Sequence, residues 1–135
     1  MRYTVVAVGR IRPPFSDDLD HYAKLLSGHA RVDLVEVRES DRVERRIPPR
    51  TYRVLLDAGG RTYSSEAFAR WLEDRRQDGR DVCFVVGGAF GIELEPCDER
   101  LSFGPMTFPH QLARVMLVEQ LYRAHKILAN EPYHH

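Results

Sequence analysis

The chain has 135 residues, 43% of them hydrophobic and 30% charged, and its 20 basic and 20 acidic side chains give a formal net charge of zero. That length suits a single domain, residues 1–135, with a sizeable core. The charge balance excludes a uniformly basic nucleic-acid binder while allowing a local basic patch, and no apolar run approaches the roughly 20 residues of a membrane helix.

Arg2–Val8 (RYTVVAV) alternates and carries Arg2, so it reads as a first buried strand, ending at Gly9, and not as a signal peptide. Ser16 is the expected N-cap of a helix, with Asp17 and Asp18 in the first turn where the helix dipole favours acids. This helix runs to about Ser27, with Gly28 at the C′ position. Arg31–Val37 (RVDLVEV) partly alternates as a second strand. A charged loop follows, ESDRVERRIPPR, closed by Pro48 and Pro49. Residues 52–57 (YRVLLD) form a third strand ending in the turn signal Gly59-Gly60. Ser64 caps a second helix, SEAFARWLEDRRQ, which Gly79 stops. Residues 81–86 (DVCFVV) read as a fully buried strand of the parallel kind. Strands alternating with helices predict an α/β fold, a mainly parallel sheet with helices on both faces.

The stretch from Leu101 to Ala124 organises the rest. A short apolar segment broken by Gly104 and Pro105 passes through Pro109, suited to a first helical position, into a helix with Leu112, Val115, Met116, Leu117, Val118, Leu121 and Tyr122. Four consecutive apolar residues, Val115 to Val118, point around more than one side, so the helix must be covered twice. The second cover is expected from another copy of the chain, making a homodimer with a site at its interface.

Three strand ends are candidates for that site. The run 87–91 (GGAFG) directly follows the most buried strand, and ligands in open α/β sheets bind beyond the carboxyl ends of strands. It is neither GxGxxG nor a P-loop with its lysine, so a tight turn and a ligand site both fit it. Leu56 and Asp57 end the neighbouring strand, and Phe103 to Phe108 end the next. Together they predict a small-molecule pocket. On the last helix Glu119 and Arg123 have the i,i+4 spacing of an ion pair, solvated or partly buried; Arg114, His125 and Lys126 are its other polar groups. The terminus, Pro132-Tyr133-His134-His135, is unlike the frayed polar ends of most chains; a tag fragment would account for His135 but not for Pro132-Tyr133. Cys83 and Cys97 are the only cysteines and lack CxxC spacing, which points to a reduced, cytoplasmic setting. No residue cluster has metal-ligand spacing, so no metal is expected. Arginine outnumbers lysine 18 to 2, through composition bias or through use of its planar fork on phosphate.

VVAVG near the start, DGRDVCFVVGGAFG, MTFPHQLARVMLVEQLYRAHKI and the terminal PYH resemble, in order and over nearly the whole chain, the RlmH family. These are SPOUT-class methyltransferases that modify N3 of a pseudouridine in large-subunit (23S) ribosomal RNA. The resemblance implies a C-terminal trefoil knot, a homodimer, and S-adenosylmethionine bent in the knot and held largely by backbone groups. It assigns cofactor binding to Leu56, Gly88, Phe103, Gly104, Pro105, Met106, Thr107 and Phe108. It assigns catalysis to the trio His134, Tyr133 and Arg123, with His134 as the base that takes the N3 proton, since histidine titrates near neutrality. Tyr133 would stack on or hydrogen-bond the target base, and Arg123 would orient phosphate or the tail. Two features depart from the family. Between the second and third strands the family carries a longer, lysine-bearing segment, and its final Tyr-His is followed by arginine or lysine where this chain has His135; both places are expected to face RNA. An RNA methyltransferase acting on assembled ribosomes is the leading expectation. A non-catalytic ribosome-binding relative is the alternative, and GGAFG alone would suit a nucleotide-binding module of another kind.

Overall fold

A computed structural model describes residues 1–133; His134 and His135 lie outside the described residues. Five strands, β1 (Arg2–Val8), β2 (Arg31–Val37), β3 (Tyr52–Thr62), β4 (Val82–Val86) and β5 (Glu99–Ser102), form one sheet in the order β2-β1-β4-β3-β5, every pairing parallel. Three α-helices, α1 (Phe15–Leu26), α2 (Ser65–Gln77) and α3 (His110–Leu128), accompany it. All five residues of β4 are buried, as its unbroken apolar run requires.

Connection handedness decides which face each segment covers. The steps from β1 to β2 and from β3 to β4 run the same way across the sheet, so right-handed crossovers place α1 and α2 on one face. α3 packs between them. Tyr3, Val5, Ala7, Phe84 and Val86 point to this face and meet Leu19, Leu72, Leu117, Val118 and Leu121. The steps from β2 to β3 and from β4 to β5 run the other way and cross the opposite face. There the alternate residues Val6, Val8, Cys83 and Val85 meet Val43 and Leu94.

The expected helical cover of both faces is therefore unequal. The second face carries only two 3-10 turns, Ser40–Arg42 and Glu44–Arg46, and the 87–98 loop. The loop between β2 and β3 ends at Pro48-Pro49, where an α-helix cannot continue, so one buried valine between two short turns does the covering. The two-sided burial of α3 is likewise met by α1 and α2 of the same chain; of Val115 to Val118 only Met116 remains half exposed.

Three local expectations are corrected. α1 begins at Phe15 behind Pro14, with no side-chain cap from Ser16. Pro109 is the N-cap of α3 and not its first helical residue. Gly59 and Gly60 lie inside β3, where the register against β5 shifts between Leu56 and Arg61. A Cβ on Gly60 would stand 2.6 Å from the Arg100 carbonyl, so this glycine permits close strand approach and makes no turn. Ser64 does cap α2, accepting from Ala67 N–H at 3.1 Å, and Gly79 follows it at φ +71°.

Arg114 fixes where α3 starts. It is 2% exposed, pairs with Glu36 Oε2 at 2.9 Å and donates to the carbonyls of Val8 (3.3 Å) and Gly9 (3.1 Å). Burial lowers its pKa and Glu36 opposes that shift. The first turns of α3 are thereby tied to the carboxyl ends of β1 and β2.

Candidate active site

The carboxyl ends of β3, β4 and β5 surround a cleft of about 160 Å³. Its walls come from Leu56, Asp57 and Ala58, from Val86 and Gly87, and from the loop between β5 and α3; His110 and Ala113 of α3 close it. The three strand ends do meet in one pocket. Of the residues expected to hold a cofactor, Leu56, Phe103, Gly104, Met106, Thr107 and Phe108 line this cleft. Pro105 is exposed in the same loop without lining it.

The glycine turn contributes through Gly87. A Cβ there would lie 3.0–3.2 Å from Ile92 and Gly91, so the turn closes only around a glycine. Gly88 sits one step behind, where a Cβ would meet Val8 Cγ1 at 3.2 Å, and it pairs with Gly91 across the turn. Gly104 adopts φ +128°, a conformation reserved for glycine, and its N–H and carbonyl are both held by the buried Ser102 hydroxyl at 2.9 Å. That anchor leaves the rest of the loop projecting over the cleft. Among the described residues, the N–H groups of Met106, Thr107 and Phe108 make no hydrogen bond within the chain. A largely apolar cleft lined by residues whose backbone donors are unused suits a flat heterocycle with a polar edge.

Several lining residues are not among those expected to hold a cofactor, Ala58, Val86, His110 and Ala113 among them. Asp57, expected with Leu56 as one of the converging strand ends, does line the cleft, and its carboxylate accepts from Gly59 N–H (3.0 Å) and Arg100 (3.1 Å). His110 and Ala113 come from the first turn of α3. The block TFPH carried the available signal, since a proline N-cap delivers the following side chains to the loop it ends.

On the far side of the Phe103–Gly104 segment lies a second depression of about 390 Å³, lined by Tyr63, Ser65, Phe68, Met116 and Gln120 among others. A third, of about 420 Å³, is formed by Asp18, Tyr22, Val115, Met116, Glu119, Arg123 and Tyr133. The structure brings Arg123 and Tyr133 together there. Arg123 pairs with Glu119 at 2.8 Å, Tyr133 donates to the same Glu119 Oε2 at 2.5 Å, and the guanidinium lies 4.0 Å from the Tyr133 ring centre. It does not bring them to the cleft of their own chain. Arg123 is ten residues along α3 from Ala113, roughly 15 Å at 1.5 Å per residue. His134 falls outside the described residues.

Other titratable groups offer no rival centre. Burial pushes the Cys83 thiol up to about 12, so it is no nucleophile. Among the described residues no group of three or more His, Cys, Asp or Glu could hold a metal ion, and no helix is long and apolar enough to cross a membrane.

An all-parallel α/β sheet with a cleft at its strand ends, bordered by a glycine turn and by the loop between β5 and α3, defines an α/β domain of the kind whose ligands bind beyond the carboxyl ends of the strands. The chain belongs to the SPOUT methyltransferase family: residues 1–134 match the family model described as "Predicted SPOUT methyltransferase". Proteins named ribosomal RNA large subunit methyltransferase H are similar along nearly their whole length. The one from Carboxydothermus hydrogenoformans is 37% identical over 158 residues, covering 99% of each chain. That from Rhodospirillum centenum is 43% identical over 150 residues, again 99% of each. That from Gluconacetobacter diazotrophicus is 45% identical over 146 residues, 96% of this chain and 95% of the relative. An alignment 158 positions long across a chain of 135 residues means that the relative carries segments this one lacks, in keeping with the short loop between β2 and β3.

Proposed function

We propose that this chain is an S-adenosylmethionine-dependent methyltransferase acting on N3 of a pseudouridine in large-subunit ribosomal RNA, on assembled ribosomes in the cytoplasm. It would work as a single-domain protein with the trefoil knot of its class. The observation that carries the reading is the cleft under residues 103–108, apolar in its walls and edged by available N–H groups, in a chain matched end to end by the family. The cofactor supplies a methyl carbon made electrophilic by its sulfonium. Leu56, Leu101, Phe103 and Phe108 would flank its flat ring, and the backbone of Met106 to Phe108 would take its polar edge.

The remaining work falls to this chain's own residues. They must hold the acceptor nitrogen in line with the methyl carbon, which supplies much of the acceleration. They must also accept the proton an imide nitrogen sheds as the new N–C bond forms and the S–C bond breaks. Burial and the hydrogen bond to Glu119 push the Tyr133 phenol well above its usual range. That suits Tyr133 to donating or stacking, and the family resemblance together with histidine's titration near neutrality supports His134 as the base. Because Arg123 stands about 15 Å along α3 from its own cleft, and Tyr133 is docked beside it on Glu119, we assign the pair to the cleft of a second copy in a homodimer, facing it across the exposed side of α3 at Met116.

The test is methyl transfer from labelled donor to ribosomes lacking the modification, with the site mapped. Incorporation at N3 of a pseudouridine supports the proposal. Ribosome binding without transfer would instead favour the non-catalytic alternative. Mixing a cleft-defective with a tail-defective variant tests the shared site: recovered activity requires a dimer, and none is expected if each chain serves itself.

A further inference from the structure

Two exposed features at the carboxyl edge of the sheet are used by nothing above. The first is a set of arginines. Arg38, Arg42, Arg45 and Arg46 line an open depression of about 480 Å³ at the exit of β2. Arg10 and Arg12 leave β1 beside it, since Gly9 N–H bonds to the Val37 carbonyl at 2.8 Å. All six are exposed, and among the described residues none makes an ion pair or a side-chain hydrogen bond. The nearby acids are mostly engaged: Glu36 by Arg114 and the Ile11 N–H, Glu44 by Arg53. Glu39, Asp41 and Glu93 remain, three carboxylates against six guanidinium groups.

The second feature is Phe90, whose side chain is fully exposed. It stands at the tip of a closed turn in which Gly91 N–H bonds to the Gly88 carbonyl at 3.0 Å and Gly91 adopts φ +73°. A single exposed phenylalanine is ordinary. This one borders a depression shared with Ser40 and Asp41 of the arginine loop, and its turn begins at Gly87, a wall of the cleft. Ring, arginines and cleft therefore occupy one edge of the molecule. β2 and β3 are three strand intervals apart, roughly 14 Å.

We propose that Phe90 with Arg38, Arg42, Arg45 and Arg46 forms the docking surface for a single-stranded stretch of the RNA substrate beside the nucleotide to be modified. The planar guanidinium forks engage backbone phosphates, which need no sequence, and Phe90 stacks on an unpaired base, as exposed aromatics do on single strands. A local patch of this kind is compatible with a chain of zero net charge. This inference rests on the methyl-transfer reading for its substrate, but its test reads binding separately.

The experiment uses the full chain and large ribosomal subunits lacking the modification, with Phe90→Ala and the double variant Arg42→Ser/Arg45→Ser. Filter binding to the subunits between about 50 and 200 mM salt should show affinity reduced about tenfold or more in each. The double variant should lower the slope of log affinity against log salt by about 1.5, the share of two phosphate contacts. KM for subunits should rise in parallel, with kcat and adenosylmethionine affinity unchanged. Unchanged binding and an unchanged salt slope overturn the proposal. So does a Phe90→Ala variant that alters sedimentation mass while keeping RNA affinity, which would assign the ring to a protein interface. A wild-type chain that binds subunits through these residues but transfers no methyl group would keep this surface and remove the enzymatic reading.

Discussion

The guanidinium of Arg123 lies over the ring of Tyr133, 4.0 Å from its centre, although the two residues belong to a helix and to the tail beyond it. The reversal that joins them is local. Asn130 takes φ +55°, its N–H bonds to the Ile127 carbonyl (3.0 Å), and Glu131 N–H bonds to the Lys126 carbonyl (2.9 Å). This is a left-handed helix stop with asparagine in the usual glycine place. Lys126 closes it with a 2.6 Å pair to Glu131, and the tail returns along α3 until Tyr133 meets Glu119 and Tyr122. The tail is docked, and its docking presents Tyr133 beside Arg123.

Removing that tail should separate cofactor binding from turnover. Deletion of residues 133–135 is expected to leave adenosylmethionine affinity, read by calorimetry, within about twofold. Methyl transfer should fall by roughly a hundredfold or more, the scale of losing a positioned acid–base group. Tyr133→Phe keeps the ring and removes the hydroxyl that bonds Glu119, so it should retain most activity if stacking is the role of the ring. A deletion that turns over at the wild-type rate would reduce the tail to a structural strap.

The cofactor loop is expected to be sensitive at Gly104. Nothing lies within 4 Å of a Cβ built there, so Gly104→Ala has no clash; its only fault is φ +128°. The loop must then rearrange, at a cost of about 1–3 kcal/mol, and adenosylmethionine affinity should drop about tenfold or more. Gly88→Val asks whether the glycine turn itself reaches the cofactor. Unchanged affinity in that variant, with the protein folded, would leave Gly87 as the only contributor from the turn.

Adjacent glycines in β3 should respond unequally to alanine. A Cβ at Gly60 would fall 2.6 Å from backbone atoms of Arg100, whereas at Gly59 the nearest neighbour is an Asp57 carboxylate oxygen at 3.6 Å. Gly60→Ala is expected to destabilise by about 1–3 kcal/mol through overpacking, and Gly59→Ala by less than about 0.5 kcal/mol. Thermal melts of the two variants check this, and equal midpoints would contradict the close strand approach.

Stability should fall in mild acid through His125. Its Nε2 lies 2.7 Å from the Tyr3 hydroxyl, and burial, with help from His29 and the N-terminus, holds its pKa down to about 4. Tyr3, itself raised by burial, keeps its proton and donates it, so His125 is neutral in the folded chain. Unfolded, it would titrate near 6.5. The unfolded state thus binds the extra proton between these values: the contribution is complete above about pH 6.5 and lost as pH falls toward 4. Solvent screening of this partly exposed ring keeps the loss below a ceiling of about 3 kcal/mol. Urea titrations at pH 7 and pH 4.5 should show this loss, and His125→Gln should shrink it. A variant with the wild-type pH dependence would assign the acid sensitivity elsewhere.

The limits of β1 and β2, the unbroken burial of β4, the Ser64 cap and the stop at Gly79 were legible in the sequence. Each depends on neighbours within a few residues, through side-chain alternation, a hydroxyl three residues from its donor, or one positive φ. The convergence of Leu56, the 87–91 turn and residues 103–108 was legible too, because parallel strands must all end on one side. Other features were decided only by packing. Gly59-Gly60 looks like a turn and is a strand, because the residue that needs the missing Cβ is Arg100, forty positions further on. The double cover of α3 looked like the work of a second chain and is supplied by its own α1 and α2, which leave Met116 half exposed. Arg114, one arginine among 18, became the clamp that places the cleft. The separation of Arg123 and Tyr133 from that cleft follows from the direction in which α3 leaves it. Local chemistry is written in adjacent residues, whereas the coverage of a face and the distance between two groups depend on which distant segments the crossovers deliver.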